Sequence, residues 1–291
     1  IGLTIALAWS GRAVALGRPR MAKWVGAAGF VMVAAFAALT WDLLPSWRNS
    51  FSLFEHALVS TKDNATAHTN LSHAYVVAKD YGRGARHATL ALQINPREVN
   101  AMLNLGVVLM EQKRWNEAER LFLAALAINP NHAIAHYNLG VAFESQGQLE
   151  EAAREYSACV RLNRGFVRGH EKLGRALLTL GRGEEAVRSY QEAVRLDPGN
   201  VGAWANLGVS HCSVGRFADS LPFLERALAL DPSNADARYF HAKALWSAGE
   251  RPLAENELNE LLRRHPDHAD GLALRLELQA GPPAPRRTDT D

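Results

Sequence analysis

Five prolines constrain this chain more than any other feature. Pro96, Pro130, Pro198, Pro232 and Pro266 are separated by 34, 68, 34 and 34 residues. Arg164 fills the skipped place, and Lys62 stands one period before Pro96. A period of 34 encodes a helix-turn-helix unit, which cannot bury its apolar face alone and must stack on its neighbours. With proline at position 32, six units fall at 65–98, 99–132, 133–166, 167–200, 201–234 and 235–268.

The remaining positions obey the same register. Position 8 reads Ser72, Gly106, Gly140, Gly174, Gly208, Ala242, and position 20 reads Gly84, Ala118, Ala152, Ala186, Ser220, Ala254. Position 27 reads Ala91, Ala125, Cys159, Ala193, Ala227, Leu261. Small side chains in a column mark where two helices approach closely, because a larger one would overpack the contact. Leu71, Leu105, Leu139, Leu173 and Leu207 supply the apolar knobs at position 7. Gly147, Gly181, Gly215 and Gly249 fall between the two helices, where a left-handed residue ends the first. The prolines stop the second helix and start the next unit.

This pattern resembles the tetratricopeptide repeat (TPR) family over residues 65–268, in register and without insertion. The resemblance implies an all-α fold, a right-handed TPR superhelix of six repeats, preceded by a transmembrane helix read from the sequence upstream. Repeat 6 departs from the pattern at His241 and Leu261, and residues 269–280 (ADGLALRLELQA) read as a capping helix. Pro222 is expected to bend the second helix of repeat 5 unless that helix starts late, whereas Pro252 stands harmlessly at a helix start. Residues 46–64 read as a lone second helix packed on repeat 1, and residues 281–291 as a disordered tail.

Residues 23–45 read as a transmembrane helix: no charge interrupts Trp24 to Trp41, and these two tryptophans stand where interfacial belts would lie. Residues 1–22 then form the end of an earlier membrane helix and a cytoplasmic loop carrying Arg12, Arg18 and Arg20, with Lys23 close by. The excess of positive charge on that side places the repeat array on the extracytoplasmic side, periplasmic or lumenal. A start at Met21, with a signal peptide or signal anchor, is the other reading and leaves the array on the same side.

In the TPR family ligands lie mainly on a concave surface lined by first-helix positions 2, 5, 6, 9, 12 and 13. Position 6 is Asn70, Asn104, Asn138, Lys172, Asn206 and Phe240 in this sequence. Asparagine is a mediocre helix former, yet its carboxamide offers a donor and an acceptor that match a peptide bond. The column resembles the asparagine ladder of the cytosolic O-GlcNAc transferases, which implies binding of an extended peptide through its backbone. The alternative is that these residues sit solvated. Arg168, Lys172 and Arg175 hold positions 2, 6 and 9 of repeat 4 and offer a cationic face to an acidic or phosphorylated segment, with Glu171 placed to neutralise part of it. A solvated charged face is again the alternative.

The bulk numbers exclude more than they assign. A net charge of +2 gives no pull toward nucleic acid. Cys159 and Cys212 cannot form a disulfide framework or a closed zinc site and read as inert buried thiols. YGRGARH (81–87) lacks the third glycine of a dinucleotide loop and reads as the turn between the helices of repeat 1. HPDHAD (265–270) gathers metal-capable groups but coincides with a loop, and His132 and His136 lack a third ligand, so no metal or cofactor is expected. His68, His136 and His170 share position 4 and read as structural. Asn64 and Asn70 head glycosylation sequons that matter only in a eukaryotic lumen. No catalytic constellation is present, so enzymatic activity is possible only through a domain before Ile1.

The function expected is that of a membrane-anchored protein–protein interaction module. The alternative rests on residues 47–71 (WRNSFSLFEHALVSTKDNATAHTNL), which resemble the C-terminal layout of multi-pass membrane glycosyltransferases such as O-mannosyltransferases with lumenal TPRs. That resemblance implies a substrate-recognition role for the array. A pilus or outer-membrane assembly lipoprotein is disfavoured, because no cysteine follows the apolar segment as a lipid acceptor.

Overall fold

The computed structural model describes Val31, residues 50–61 and residues 63–280. The expected membrane helix at 23–45 (Val31 apart), the segment 1–22 and the tail 281–291 lie outside the described residues. Among the described residues no helix is long and apolar enough to cross a membrane.

The described residues form helices joined by short turns, with no strand among them. In chain order these are α1 Ser50–Ser60, α2 Ala65–Val77, α3 Tyr81–Ile94, α4 Val99–Glu111, α5 Trp115–Ile128, α6 Ala133–Ser145 and α7 Leu149–Leu162. Then follow α8 Val167–Thr179, α9 Gly183–Leu196, α10 Val201–Ser213, α11 Phe217–Leu230, α12 Ala235–Ser247, α13 Arg251–Arg264 and α14 Ala269–Ala280. First helices have 13 residues and second helices 14 throughout the repeats. Two compact units divide within α4, one ending at Val108 and one beginning at Leu109.

In the first unit α1 packs on α2, where the Phe51 and Tyr75 rings stand 4.8 Å apart. The Tyr75 hydroxyl also reaches Glu55 at 3.4 Å. Asn64 caps α2 by accepting the Ala67 N–H, and Asp80 caps α3 by accepting that of Arg83. A cap of this kind stabilises a helix by about 1 kcal/mol. The Asp80 cap corrects one expectation: residues 81–87 are the first two turns of α3, not the inter-helix turn, which is only Ala78 to Asp80. Gly84 is helical because the contact leaves no room; an added Cβ would lie 3.0 Å from Val76.

In the second unit each helix from α5 to α14 packs on the next. The small column at position 8 has a specific cause. A Cβ on Gly140 would stand 2.7 Å from the Tyr156 ring, one on Gly174 2.7 Å from Tyr190, and one on Gly208 2.5 Å from Leu224. Tyr156, Tyr190 and Leu224 are fully buried, so each glycine is the socket for the large residue at position 24 of its own repeat. Leu261, the oversized residue at position 27 of repeat 6, is accommodated the same way, because Gly271 of α14 leaves it room. Leu274 and Leu278 of α14 join Leu258, Leu261 and Leu262 in one cluster and cover that end of the array.

A second recurring device links the first helices α6, α8, α10 and α12 to the turn before each. The position-4 side chain donates to the position-32 carbonyl: His136 to Pro130 (2.9 Å), His170 to Arg164 (3.0 Å), Trp204 to Pro198 (3.0 Å) and Arg238 to Pro232 (2.8 Å). Three residue types make one bond, because all that matters is an N–H at the right reach toward a turn carbonyl that no helix satisfies. The second helices end without help from proline as well. Asn163, which precedes Arg164, adopts φ −132°, ψ 90°, and Asn129, which precedes Pro130, adopts φ −132°, ψ 90°.

Pro222 lies inside α11, which starts at Phe217 rather than late. Its missing N–H leaves the Ala218 carbonyl without a helical donor; both residues are exposed, so that carbonyl is open to solvent. Pro252 stands in the first turn of α13, where no donor is needed.

The turn position between the helices is left-handed in all six repeats. Gly147, Gly181, Gly215 and Gly249 have φ from 74° to 89°, and Lys79 and Lys113 take φ 60° at the same place. A lysine there carries steric strain that glycine does not. Lys113→Gly is therefore expected to leave stability unchanged or raise it by up to about 1 kcal/mol. Chemical unfolding followed by circular dichroism checks this, and a clear loss of stability counts against it.

Candidate peptide-binding face

The position-6 residues all lie on first helices and are half-buried. In the first unit the Asn104 amide donates to the Thr69 carbonyl of the preceding first helix at 3.1 Å. This asparagine therefore has a structural use, with its Oδ1 left over. Asn70 makes no side-chain hydrogen bond among the described residues.

In the second unit Asn138 of α6 and Asn206 of α10 likewise make no side-chain hydrogen bond among the described residues, while Lys172 of α8 stands at the position between them. Each carboxamide is partly exposed with an unused donor and acceptor, which a partner that offers both can satisfy.

The cationic face is organised differently from the expectation. Glu144, at position 12 of repeat 3, accepts from Lys172 Nζ at 3.0 Å, from Arg175 Nη2 at 2.5 Å and from the Tyr156 hydroxyl at 2.7 Å. Glu171, expected to neutralise the cations, instead accepts from the Asn200 amide at 2.8 Å. Arg168 alone of the three makes no ion pair or hydrogen bond among the described residues. Burial pushes the Glu144 carboxyl up, but Tyr156, Lys172 and Arg175 together outweigh it and hold the carboxyl below the usual glutamate range. Burial and the bond to Glu144 in turn raise the Tyr156 hydroxyl far above its ordinary value.

Glu144 was not legible as a site residue because its partners are 28 and 31 residues away, across a repeat boundary. The signal available was a carboxylate at position 12 facing cations at positions 6 and 9 of the next repeat.

The other groups singled out in the sequence are spoken for. His132 Nδ1 caps α6 by accepting the Ala135 N–H, and His136 Nδ1 lies 2.6 Å from Glu155. His268 caps α14 through the Gly271 N–H. In the first unit His68 and His87 face each other through Nδ1 at 2.9 Å, and burial lowers both below the usual histidine value. Among the described residues no cluster of three or more His, Cys, Asp or Glu is arranged to hold a metal. Cys159 and Cys212 are free and buried, and burial pushes the Cys159 thiol up to about 11, which keeps it unreactive at neutral pH.

Family models described as tetratricopeptide repeat match residues 69–133, 103–165, 171–235 and 211–278. The chain belongs to the tetratricopeptide repeat family. No curated protein matches the sequence. Among solved structures, the TPR chain is similar to YrrB, described as a TPR protein with an unusual peptide-binding site. The TM-score is 0.55 at 23% identity, covering 65% of this chain and 97% of that one. It is similar to PilF of Pseudomonas aeruginosa with a TM-score of 0.63 at 18% identity, covering 73% and 97%. It is also similar to MamA, with a TM-score of 0.51 at 20% identity, covering 59% and 93%. At these identities the likeness is one of fold.

Proposed function

We propose that this TPR chain is a protein–protein interaction module whose first-helix face in the second unit holds an extended peptide. One observation carries the reading: Asn138 and Asn206 present carboxamides without an internal partner at the same repeat position. An extended peptide offers a C=O and an N–H at regular intervals and satisfies both groups of each carboxamide, independent of its side chains. Asn70 repeats the arrangement in the first unit. The peptide-binding site named for YrrB, a protein of the same fold, is consistent with this use.

Lys172 and Arg175 are already engaged by Glu144, so an acidic ligand meets only Arg168 at full charge here. Backbone recognition, rather than charge, is the main source of affinity on this face. The membrane helix at 23–45 and the extracytoplasmic placement of the array belong to the same proposal and rest on the uninterrupted apolar run and its flanking arginines. The matched family models begin at Thr69, after nearly all of the stretch that carries the transferase-like resemblance, and the interaction reading is the one put forward.

The test uses the full chain in nonionic detergent and a peptide selected on it from a random displayed library. Asn138→Ala with Asn206→Ala is expected to weaken that peptide by about tenfold or more, since each carboxamide contributes about 1 kcal/mol. Circular dichroism should show an unchanged fold. Unchanged affinity in a folded double variant overturns the proposal.

A further inference from the structure

The second unit contains an open cavity of about 530 Å³ that the first-helix face does not explain. Its walls are the second helices α7 and α9, and its floor is α8, through His170, Leu173 and Leu177. At about 100° per residue, these three project from the side of α8 opposite to Arg168, Lys172 and Arg175. The cavity is therefore a separate surface from the proposed peptide-binding face.

Its floor is apolar apart from His170; His170 and Leu177 are buried, and Leu173 is the floor residue that stays partly exposed. Leu71, Leu139 and Leu207 are at most 1% exposed, whereas Leu173, their counterpart in repeat 4, is only partly buried, as is Leu105 in repeat 2. Val160 and Ala158 of α7 line the same space and are also partly exposed.

The rim is cationic, and its acids are already used. Glu185 takes Arg182 through two bonds of 2.7 and 2.8 Å, and Glu192 takes Arg195 at 2.8 and 2.9 Å. Arg154 pairs with Glu151 at 2.9 Å. Arg161 on one wall and Arg188 on the other are exposed and make no ion pair or hydrogen bond among the described residues. Arg188 lies near enough to Glu185 to help lower its carboxyl, but neither guanidinium has a hydrogen-bonded acid, and two such groups on opposite walls above a partly exposed apolar floor are complementary to carboxylates that flank an apolar side chain. Along α7 the cavity runs from Ala153 to Arg161, about 12 Å at 1.5 Å per residue, which is room for about two turns of helix.

We propose that this furrow docks a short acidic amphipathic helix of a partner protein. Its leucine-type side chains seat over Leu173 and Val160, and its carboxylates pair with Arg161 and Arg188. The contact is of the helix-in-groove kind, with charge setting orientation and partner choice. It does not depend on the asparagine reading of the opposite face.

The experiment uses the full chain in nonionic detergent and a fluorescein-labelled peptide in which two leucines four residues apart are flanked by glutamates. The control peptide carries glutamine at every glutamate. Anisotropy is expected to show saturable binding of the acidic peptide that weakens as salt rises, with the control at least roughly tenfold weaker. Arg161→Glu with Arg188→Glu, and the milder Arg161→Gln with Arg188→Gln, are both expected to lower affinity, the first by roughly tenfold or more. Both positions are exposed, so the fold is retained. Asn138→Ala with Asn206→Ala should change nothing, which separates this surface from the other.

Equal binding of the glutamine peptide overturns the proposal, as does charge reversal without effect or no binding up to about 1 mM. It is also overturned if inorganic phosphate, a thymidine oligonucleotide or phosphatidylglycerol vesicles displace the acidic peptide through the same two arginines. Those results would assign the arginines to small anions, nucleic acid or lipid.

Discussion

Gly174→Val is expected to destabilise the second unit by about 3 kcal/mol. The first added atom would already stand 2.7 Å from Tyr190 Cε2 and 2.9 Å from its Cδ2 and Cζ. Tyr190 cannot swing away, being 1% exposed and packed in a cluster with Tyr156, Leu177, Val187 and Leu207. The cost is overpacking of a rigid ring rather than loss of helix propensity; on propensity alone valine would be preferred to glycine. Chemical unfolding followed by circular dichroism measures it. A change below about 0.5 kcal/mol would mean that α8 and α9 do not approach as closely as described. Gly181, where an added Cβ meets nothing, is the comparison. Substitution there strains only φ 74° and should cost about 1 kcal/mol.

The second large effect falls on Glu144. Its replacement by alanine is expected to cost about 2 kcal/mol, mostly because the hydroxyl of the fully buried Tyr156 loses its acceptor. Lys172 and Arg175 contribute less, since both reach solvent, with side chains 26% and 54% exposed. The effect has a pH signature. The folded-state Glu144 carboxyl is held below its ordinary value of 4.5, so its contribution is present above 4.5 and is lost as pH falls through the lower folded-state value. The difference in stability between wild type and Glu144→Gln should therefore be constant near neutrality and shrink only below about pH 4.5. A gap that persists unchanged through that acid range would show that Glu144 acts by packing and not by its charge. The same variant frees Lys172 and Arg175, so it should strengthen the binding of an acidic peptide on that face.

The repeat was legible in the sequence because it is written in residues that have few substitutes. Position 8 must be small to leave room for the knob at position 24 (glycine against Tyr156, Tyr190 and Leu224, alanine against Leu258), and the left-handed turn position favours glycine strongly enough to recur in four repeats of six. The position-4 bond was not legible, because histidine, tryptophan and arginine all make it and share no pattern a sequence reader would group. The turn assigned to residues 81–87 failed for a related reason. Two glycines look like a loop until the Asp80 cap and the close Val76 contact show why a helix holds them.

What the sequence determined by itself is periodic: the unit length, the alternation of helices and the columns of small and large residues, since each is a local requirement repeated at one spacing. What only the tertiary structure decided is which charges meet. Lys172 and Arg175 pair with Glu144 rather than with the nearer Glu171, while Arg161 and Arg188 make no ion pair among the described residues above a partly exposed floor. Ion pairs form by proximity in space: pairs such as Arg182–Glu185 are local and follow helical spacing, but those of Glu144 cross a repeat boundary at a sequence distance that no helical periodicity encodes.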